Sequence, residues 1–433
     1  MNTPPAPARN LHDITGCMTN YDPEDISVQQ AQDIMRKYIQ PVCGMEKLTL
    51  RQALGRVLAV DITSPIDVPA HDNSAMDGYA LRSEDLSGDQ ELYLDTIGTA
   101  LAGVAFMGVV KHNQCVRIMT GAVLPEGCDT VVPQEFTSKV SDTQVKLSAG
   151  ILRAGDNRRL KGEDLAKGRV ALQKGKILTP ADLGLLASLG IPEVSVQRRL
   201  RVAIFSTGDE LRSLGEALEA GCVYDSNRYT LYGMLTRLGC DVLDMGVVQD
   251  TPDALEAAMR SACENADAII TSGGVSVGDA DHTQQMMKRL GDVAFWSIAM
   301  RPGRPMAFGK IKSAEKSAYL FGLPGNPVAV MVSFYFFARQ ALLQLMGGSI
   351  TTLPLLSAKS NTTIRKRPGR TEYQRGIFAL DENGELCVSI TGSQGSGILR
   401  SMSEANCMIV LNHDQASIAA GDKVNILLFD GLI

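Results

Sequence analysis

The sequence lacks the cysteine spacings that build metal and disulfide sites. It contains nine cysteines, an odd number, and no two of them are spaced as C-x-x-C. This pattern argues against a zinc ribbon, a redox dithiol and a disulfide framework, and it predicts reduced thiols in the cytoplasm. The first ten residues, MNTPPAPARN, include no apolar segment, so we do not expect a secretory signal.

Long apolar runs and an excess of positive charge are also missing. The longest apolar run, residues 328–345, is interrupted by Ser333, Arg339, Gln340 and Gln344, and no membrane-spanning helix is expected. The 42 Lys and Arg residues against 48 Asp and Glu residues give a formal net charge of −6. Neither nucleic acid nor an anionic membrane is therefore an expected partner.

The remaining composition is typical of a soluble multidomain protein. Of the 433 residues, 45% are hydrophobic and 21% are charged, which is enough for two to four globular domains. The predicted fold class is α/β plus β. The predicted divisions are a flexible tail (1–24), a small helical linker domain (25–50 and 165–198), a β-rich insert (51–164), an α/β domain (199–347) and a C-terminal β-barrel (348–433).

Short strand signals dominate the insert and the C-terminal region, whereas the linker contains helix signals. Ser27 precedes apolar residues at helical spacing up to residue 39, a second short helix is expected near residues 50–58, and Thr179 with Pro180 opens a third. Past residue 353 the helical signal stops. Strands are predicted at residues 92–96, 115–118, 130–133, 144–147, 169–172, 176–178, 387–390, 407–411 and 424–428.

The α/β domain alternates apolar strands with helices as far as Phe321. This rhythm predicts βαβ units, and therefore a central, doubly wound and mostly parallel sheet that is covered on both faces. Such sheets bind ligands at the carboxyl ends of their strands. The loops after Phe205, Met245, Thr271 and Phe321 are therefore expected at one ligand-binding edge.

Two glycine-rich motifs follow predicted parallel strands. STGDEL, at residues 206–211, offers backbone N–H groups to an anion and places Glu210 just beyond the turn, although a plain polar turn is an equal reading. TSGGVSVGDADHT, at residues 271–283, lets the backbone approach a ligand and adds the carboxylate of Asp281, a suitable metal ligand. A mobile connection is the alternative there. Neither motif is a P-loop or a dinucleotide fingerprint.

Further motifs carry weaker signals. GLPGNP, at residues 322–327, suits a helix start with Asn326 as its cap. MRPGRP, at residues 300–305, places Arg301 and Arg304 around a turn, which suits an oxyanion but is equally consistent with an exposed basic turn. DNSAMDGYA and MTGAVLPEGCDTVV put Asp77 and Thr120 beside glycines and, taken alone, read as turns.

Taken together and in this order, the motifs resemble those of one family. DNSAMDGYA, IMTGAVLPEGCD, RRLKGEDL, STGDEL, TSGGVSVGDADHT and GLPGNP are similar to the motifs of molybdopterin molybdenumtransferase, the MoeA family, which is related to the E domain of gephyrin. The resemblance covers the chain from about residue 26 to the C terminus. It implies a molybdopterin-binding type of sheet in the α/β domain.

The resemblance also implies an activity and partners. The family inserts molybdenum from molybdate into adenylylated molybdopterin and releases AMP, with a divalent metal such as Mg²⁺ assisting. It implies a homodimer whose cleft combines the α/β domain of one subunit with the β-rich domain of the other, and it allows the molybdopterin adenylyltransferase as a further partner. The alternative is a catalytically weak relative that binds the pterin or the cofactor, or acts as a scaffold.

The site residues follow from the matching motif positions. The resemblance implies catalytic roles for Asp77, Glu210, Asp250 and Asp281, the last three also as metal ligands. The implied substrate-binding residues are Thr120, Asp164, Ser206, Gly208, Gly273, Gly274, Ser276, Pro324 and Asn326. The implied molybdate site consists of Ser297, Arg301, Arg304, Arg375 and Ser396.

The chain departs from the family in the anion-binding turn. Ser297, Arg301 and Arg304 stand where the family usually has lysines. Arginine keeps the positive charge and adds a planar fork of donors, whereas Ser297 offers a hydroxyl and no charge. We therefore expect that a lysine at position 297 would tighten molybdate binding.

Overall fold

The computed structural model describes residues 10–16, 18, 21–86, 90–275, 282–349 and 352–430. Within these residues the multidomain α/β plus β fold predicted from the sequence is confirmed. A mixed α/β sheet, a closed barrel and a β-rich insert each form a separate sheet, and short strand pairs with helices join the insert to the rest.

The α/β domain is built on one six-stranded sheet. Its strands run in the order Asp241–Val248, Arg201–Thr207, Ala268–Ser272, Lys316–Leu323, Pro305–Ser313 and Gly291–Ser297. The first four pair in parallel, and Pro305–Ser313 pairs antiparallel with the strand on each side of it. Helices Ser226–Arg237, Pro252–Asn265 and His282–Leu290 connect strands of this sheet.

The predicted alternation of helix and strand up to Phe321 is wrong in its last part. After helix His282–Leu290 the chain forms four strands in succession, three of which belong to this sheet. Ser313 pairs with Lys316 in an antiparallel register, so only two residues connect those strands. A two-residue connection permits an antiparallel hairpin, whereas a parallel crossover needs a dozen residues or more.

The parallel strands are apolar because both of their faces are covered. Ala268–Ser272 is buried along its whole length. In strand Arg201–Thr207, Val202 and Ile204 pack into one hydrophobic cluster, and Ala203 and Phe205 pack into another on the opposite face. This alternation follows from the pleat of a strand. The parallel register brings the loops after Phe205, Met245, Thr271 and Phe321 to one edge, as the sequence predicted.

One long apolar helix packs between the sheet and the barrel. It consists of an α-helical part, Pro327–Ser333, a π-helical part, Phe334–Ala338, and a second α-helical part, Arg339–Leu345. By length and composition these 19 residues could cross a membrane. Most of the helix is buried inside the protein, however, which is typical of a core helix.

The C-terminal region closes into a five-stranded barrel. Its strands are Leu356–Ser360, Thr371–Leu380, Leu386–Ile390, Cys407–Leu411 and Lys423–Leu428. The long strand Thr371–Leu380 pairs with both Leu386–Ile390 and Cys407–Leu411, which completes the ring. Beyond residue 353 no helix was expected, yet the barrel contains the short helix Arg400–Glu404.

The barrel shares a hydrophobic core with the α/β domain. Tyr373 and Met408 of the barrel belong to the same buried cluster as the apolar helix. The ring of Tyr373 stacks on that of Phe336 with 3.9 Å between the ring centres. Strand Met300–Arg301 of the α/β domain also pairs with the start of Thr371–Leu380. The Arg301 turn is therefore held against the barrel.

The insert forms its own sheet of six strands. In spatial order these are Thr130–Pro133, Gly78–Leu81, Gln114–Ile118, Leu92–Ala100, Gln144–Leu147 and Thr137–Lys139. Two short strand pairs lie outside the three large sheets. In the insert, Asn73–Ser74 pairs with Arg158–Arg159, and in the α/β domain, Leu211–Arg212 pairs with Val223–Tyr224. The 3₁₀ turns Ser83–Asp85 and Gln134–Phe136 complete the insert.

The linker region consists of two helices and two strand pairs. The helices are Val28–Tyr38 and Pro180–Ser188, and the pairs are Met45–Thr49 with Glu193–Gln197 and Ile62–Thr63 with Val170–Leu172. The helix expected near residues 50–58 is only a 3₁₀ turn, Leu50–Gln52, because Gly55 adopts a positive φ of 73°. The strand expected at 176–178 is a single bridge between Ile177 and Val57.

Part of the predicted flexible tail is ordered. Residues Leu11–Gly16 form a short helix with Leu11 and Ile14 buried. The Leu11 amide donates a 2.7 Å hydrogen bond to the carboxylate of Asp292. The sequence signal for this helix is weak, because its segment is polar apart from two apolar residues. The helix is stabilised only when the α/β sheet supplies a surface against which these two residues pack.

Candidate functional site

Polar side chains connect the loops at the carboxyl edge of the parallel sheet. The Ser206 hydroxyl donates to the Asp225 carboxylate at 3.1 Å. The Asn227 amide donates to the Ser272 hydroxyl at 2.8 Å and to the Gly325 carbonyl at 2.6 Å. Three motifs that are distant in the sequence therefore meet at one edge, which confirms the predicted convergence of these loops.

Asp225 and Asn227 were missed by the sequence reasoning. Asp225 is the N-cap of helix Ser226–Arg237 and accepts from the Arg228 amide. The Arg228 guanidinium also contacts Asp225 at 3.2 Å and Asp244 at 3.0 Å. An Asp-Ser-Asn string before a helical pattern is a recognisable cap signal, but only the parallel register turns that cap towards Ser206 and Ser272.

Glycine permits the close approach of two of these loops. Gly273 adopts φ +93°, and a Cβ at this position would lie 2.6 Å from the Thr207 carbonyl oxygen. A Cβ on Gly325 would lie 3.8 Å from the Gly273 Cα atom. Gly274 has φ +68° and faces the side chain of Thr283. The predicted substrate-binding glycines 273 and 274 thus line a narrow, backbone-walled edge.

Three buried polar atoms at the end of these strands and helices lack partners. Among the described residues, Thr207 Oγ1, Thr271 Oγ1 and Asn227 Oδ1 make no hydrogen bond. A buried polar atom without a partner costs about 1–3 kcal/mol. A polar ligand at this edge would satisfy such atoms, and the edge is therefore a candidate binding site for a molecule rich in hydrogen-bonding groups.

Two of the predicted acidic residues, Glu210 and Asp250, lie in loops at the same edge. The exposed carboxylate of Glu210 lies over Gly208, since a Cβ on Gly208 would be 2.7 Å from Glu210 Oε2. Asp250 Oδ1 accepts from the Thr283 hydroxyl at 3.4 Å. Two other predicted residues, Ser276 and Asp281, lie outside the described part of the chain.

No three-ligand metal cluster is assembled within the described residues. Of the predicted metal ligands, Glu210 and Asp250 are described, and both carry the oxygen ligands that Mg²⁺ prefers. Mg²⁺ commonly takes one or two carboxylates and completes its shell with water and substrate phosphates. The donor chemistry therefore suits Mg²⁺, although these two residues alone form no metal cage.

A second candidate site is a cavity of about 330 Å³ between the MRPGRP turn and the barrel. Three arginines and one glutamate contribute to its wall. The lining residues are Arg301, Pro302, Thr363, Arg365, Glu372, Tyr373, Gln374, Arg375, Ile390 and Gln394. With three guanidinium groups against one carboxylate, the cavity suits an anion.

Arg375 is the most unusual residue of this cavity wall. It is only 1% exposed, and none of the ion pairs among the described residues includes it. Its guanidinium donates only to neutral oxygens, those of Ser401, Ser393 and Gly395. Burial, and then the neighbouring charge of Arg301, lower the pKa of Arg375 to about 10. A buried cation without a carboxylate is a strong attractor for a small external anion.

The two candidate sites are joined through a loop of the barrel. Arg375 Nη2 donates to the Gly395 carbonyl at 3.0 Å. The carbonyl of the next residue, Ser396, accepts from the Val328 amide at 3.0 Å, at the start of the long helix. That helix follows Pro324 and Asn326 of the GLPGNP loop, and Asn326 makes no capping bond with its side chain. Asn326 therefore occupies the predicted N-cap position with Pro327 after it, but its side chain does not cap the helix and remains exposed at the edge.

Ser297 and Arg304 do not line the cavity, unlike the predicted Arg301 and Arg375. The Ser297 hydroxyl donates instead to the Glu24 carboxylate at 3.3 Å. Its amide donates to the Pro23 carbonyl at 2.8 Å. Ser297 thus faces the N-terminal segment, because this segment runs along the edge strand that ends at Ser297. The Ser396 side chain likewise does not belong to the cavity wall.

The predicted insert residues form a third group. Asp77 accepts two 2.7 Å hydrogen bonds from Thr120, which lower the pKa of this exposed carboxyl. Asp72, in the same motif as Asp77, forms an ion pair with Arg158. Asp164 is exposed, and its amide donates to the Val68 carbonyl at 3.1 Å. In the described residues, these hydrogen bonds all stay within the insert.

Comparison with known protein families gives matches along most of the chain. Residues 26–190 match the model of the MoeA N-terminal region (domain I and II). Residues 203–344 match that of a probable molybdopterin binding domain, and residues 357–429 match the MoeA C-terminal region (domain IV). The three matches follow the order expected from the motifs.

Similar proteins cover nearly the whole chain. The molybdopterin molybdenumtransferase of Haemophilus influenzae is 41% identical over 409 residues, which cover 94% of this chain and 100% of that protein. The protein of the same name from a Nostoc species is 36% identical, with 88% of each covered. The crystal structure of the molybdopterin biosynthesis moeA protein from Pyrococcus horikoshii superimposes with a TM-score of 0.80 at 27% identity, covering 94% of this chain and 100% of that one.

Proposed function

We propose, from the premise that this chain belongs to the MoeA family of molybdopterin molybdenumtransferases, that it inserts molybdenum from molybdate into adenylylated molybdopterin with release of AMP. The homologues support a transferase with a role in molybdenum cofactor biosynthesis. We further propose that the protein uses Mg²⁺, assembles as a homodimer and acts in the cytoplasm.

The observation that carries the proposal is the buried cation Arg375. It lines a cavity with Arg301 and, within the part of the chain that the structure describes, donates only to neutral oxygens. Molybdate is a small tetrahedral dianion, and two guanidinium forks can bind its oxygens from different sides. In this role Arg375 and Arg301 hold the oxyanion and offset the repulsion between molybdate and an anionic dithiolene.

The carboxyl edge of the α/β sheet would hold the pterin substrate. Ser206 and Ser272 are fixed there by Asp225 and Asn227, and Gly273 opens the backbone to close approach. Pterin and phosphate groups offer many donors and acceptors, which suits an edge with buried, unpartnered Thr207 and Asn227 atoms. Hydrogen bonds connect Arg375 to Gly395, and Ser396 to the start of the helix that follows GLPGNP. This connection between the two sites supports the proposal that one substrate reaches from the sheet edge to the oxyanion cavity.

The acids at this edge suit a supporting role in cleavage of the adenylyl bond. Glu210 and Asp250, with Asp281, would hold Mg²⁺ against the substrate phosphates. Bound there, Mg²⁺ would neutralise charge on the phosphoanhydride. Asp250 is oriented by the Thr283 hydroxyl, so that its second oxygen is available to the ion.

The insert residues suggest an active site that is shared between two copies. Asp77, Thr120 and Asp164 lie on the insert, and their hydrogen bonds do not reach the α/β edge within the described residues. A homodimer would bring the insert of one copy to the α/β edge of the other. Transfer of the substrate from a molybdopterin adenylyltransferase is part of the same proposal.

A turnover assay tests the function directly. The full-length protein is incubated with adenylylated molybdopterin, Mg²⁺ and micromolar molybdate, and AMP is measured. We expect AMP release that depends on molybdate and is lost in Arg375→Gln, whereas Arg400→Gln, an exposed arginine of the nearby helix, retains it. Pterin binding without any AMP release would favour the binding or scaffold protein instead.

A further inference from the structure

Some N–H groups of the Arg375 guanidinium donate to the protein, and others remain available to a ligand. A guanidinium carries five N–H donors. Arg375 Nε donates to Ser401 Oγ at 3.0 Å, and Nη2 donates to Gly395 O at 3.0 Å and, more weakly, to Ser393 O at 3.5 Å. In the described structure Nη1 has no acceptor, and so its two N–H groups are the ones available to a bound anion.

The Ser401 hydroxyl can act only as an acceptor towards Arg375. Its single proton is donated to the Ile398 carbonyl at 2.6 Å. The remaining lone pairs therefore face the Nε–H group of Arg375. Ser401 is itself only 3% exposed and lies in the helix Arg400–Glu404, so that neither water nor a rotamer change offers Nε a ready substitute.

The backbone of Arg375 is clamped independently of this contact. Gln394 Oε1 accepts from the Arg375 amide at 2.8 Å, and Gln394 Nε2 donates to the Arg375 carbonyl at 3.2 Å. The Thr391 amide donates to the same carbonyl at 3.0 Å. Because the main chain is already fixed, the Ser401 contact acts on the direction of the side chain alone.

We propose that Ser401 is a positioning residue, which binds the Nε edge of Arg375 and thereby leaves Nη1 directed at an oxyanion in the cavity. The inference rests on the proposed function, because it assumes that the cavity binds an oxyanion. Without the Ser401 oxygen, Nε–H is buried and unpartnered, and the guanidinium gains by turning to recover an acceptor. Any such turn changes which N–H groups the anion meets.

The test is isothermal titration of the full-length protein with sodium molybdate. Ser401→Ala is expected to weaken binding about tenfold, which is the order for loss of a hydrogen bond to a charged group. Ser401→Thr keeps the oxygen and is expected to bind within about twofold of the unmodified protein. Ser403→Ala changes an exposed serine of the same helix and serves as the matched control, with no expected effect.

A double-mutant cycle separates positioning from a general loss of structure. In an Arg375→Gln background, Ser401→Ala should cause no further loss, since Ser401 acts through Arg375. A thermal melt of each variant reports folding, and Ser401→Cys replaces the alanine variant if that one does not fold.

The outcomes distinguish the two ideas. An unmodified protein that binds no molybdate contradicts the proposed function, and the positioning role falls with it. An unmodified protein that binds molybdate, beside a Ser401→Ala variant that binds equally well, overturns the positioning role alone. A tenfold loss that persists in the Arg375→Gln background overturns it too, because Ser401 would then act by another route.

Discussion

The carboxylate of Asp77 accepts both the backbone N–H and the side-chain hydroxyl of Thr120, each at 2.7 Å. The two residues lie 43 positions apart in the sequence. The hydroxyl, and after it the amide, lower the pKa of Asp77 below its ordinary value. Interpreting each motif as a local turn does not predict this contact. The contact joins the two sequence motifs into one polar surface of the insert.

This contact predicts a pH-dependent effect of Thr120→Val. A lowered folded-state pKa gives stability that is present above the unfolded pKa of aspartate, about 3.9, and that is lost as the pH falls through the lowered value. Thr120→Val should therefore reduce the urea midpoint by a constant amount between about pH 5 and 7, and the difference should shrink below about pH 4. Thr99→Val, an exposed threonine of the same sheet, is the control. A difference that grows as the pH falls would contradict the assignment.

The proposed sharing of the active site between two subunits predicts complementation between two inactive variants. Asp77→Asn alters the insert and Asp250→Asn alters the α/β edge. We assume that each site needs Asp77 from one subunit and Asp250 from the other. After subunit exchange in an equal mixture, about half of the dimers contain one subunit of each variant, and each of these dimers has one complete site out of two. The mixture should therefore recover about one quarter of normal activity. The AMP release of the mixture is compared with that of each variant alone. A mixture no more active than its components, despite demonstrated subunit exchange, would place each complete site within a single chain.

The acidic edge predicts a specific catalytic loss. Asp250→Asn keeps the size of the side chain and removes its charge. AMP release should fall roughly 10²-fold, the order expected for loss of a group that stabilises transition-state charge. Asp253→Asn, an exposed acid in the first turn of the following helix, should retain activity. The thermal midpoint should change little in either variant, and normal turnover by Asp250→Asn would exclude the role.

The contact between Ser297 and Glu24 changes the expected result for Ser297→Lys. A cation about 4 Å from an anion gains roughly 1–4 kcal/mol in water or near a protein surface, but a lysine here would meet Glu24 first. The single variant should therefore bind molybdate within about twofold of the unmodified protein. Adding Glu24→Gln frees the ammonium group, and the double variant should bind about tenfold more tightly, which corresponds to about 1.4 kcal/mol.

Calorimetric titration at two salt concentrations measures this pair of variants. The gain of the double variant should be larger at low salt, because salt screens exposed charges. Glu24→Gln alone is the control and should leave molybdate affinity unchanged. A tenfold gain from Ser297→Lys by itself would mean that Glu24 does not hold the lysine.

Local patterns were sufficient where a short segment is apolar, or alternates apolar with polar residues, and ends in a turn. The strands Thr130–Pro133, Gln144–Leu147 and Cys407–Leu411 have the predicted bounds. The first and the last are buried throughout, and the second buries Val145 and Leu147 on one face, as the alternating pleat of a strand requires. The same patterns failed at residues 50–58, where Gly55 interrupts the helix, and in the N-terminal segment, where a helix depends on Asp292 and the sheet surface.

By itself, the sequence determined the α/β plus β class, the edge of the sheet at which its glycine-rich loops collect, and the family that those motifs resemble. These features depend on periodicity and on local turn chemistry, which short stretches of chain contain in full. Only the tertiary structure decided that Arg375 is buried and, among the described residues, donates to no carboxylate, that Ser401 accepts from its Nε and that Ser297 faces Glu24. The physical reason is that burial and the direction of a long side chain depend on which surfaces the barrel, the helix and the N-terminal segment bring together, and no local pattern specifies those contacts.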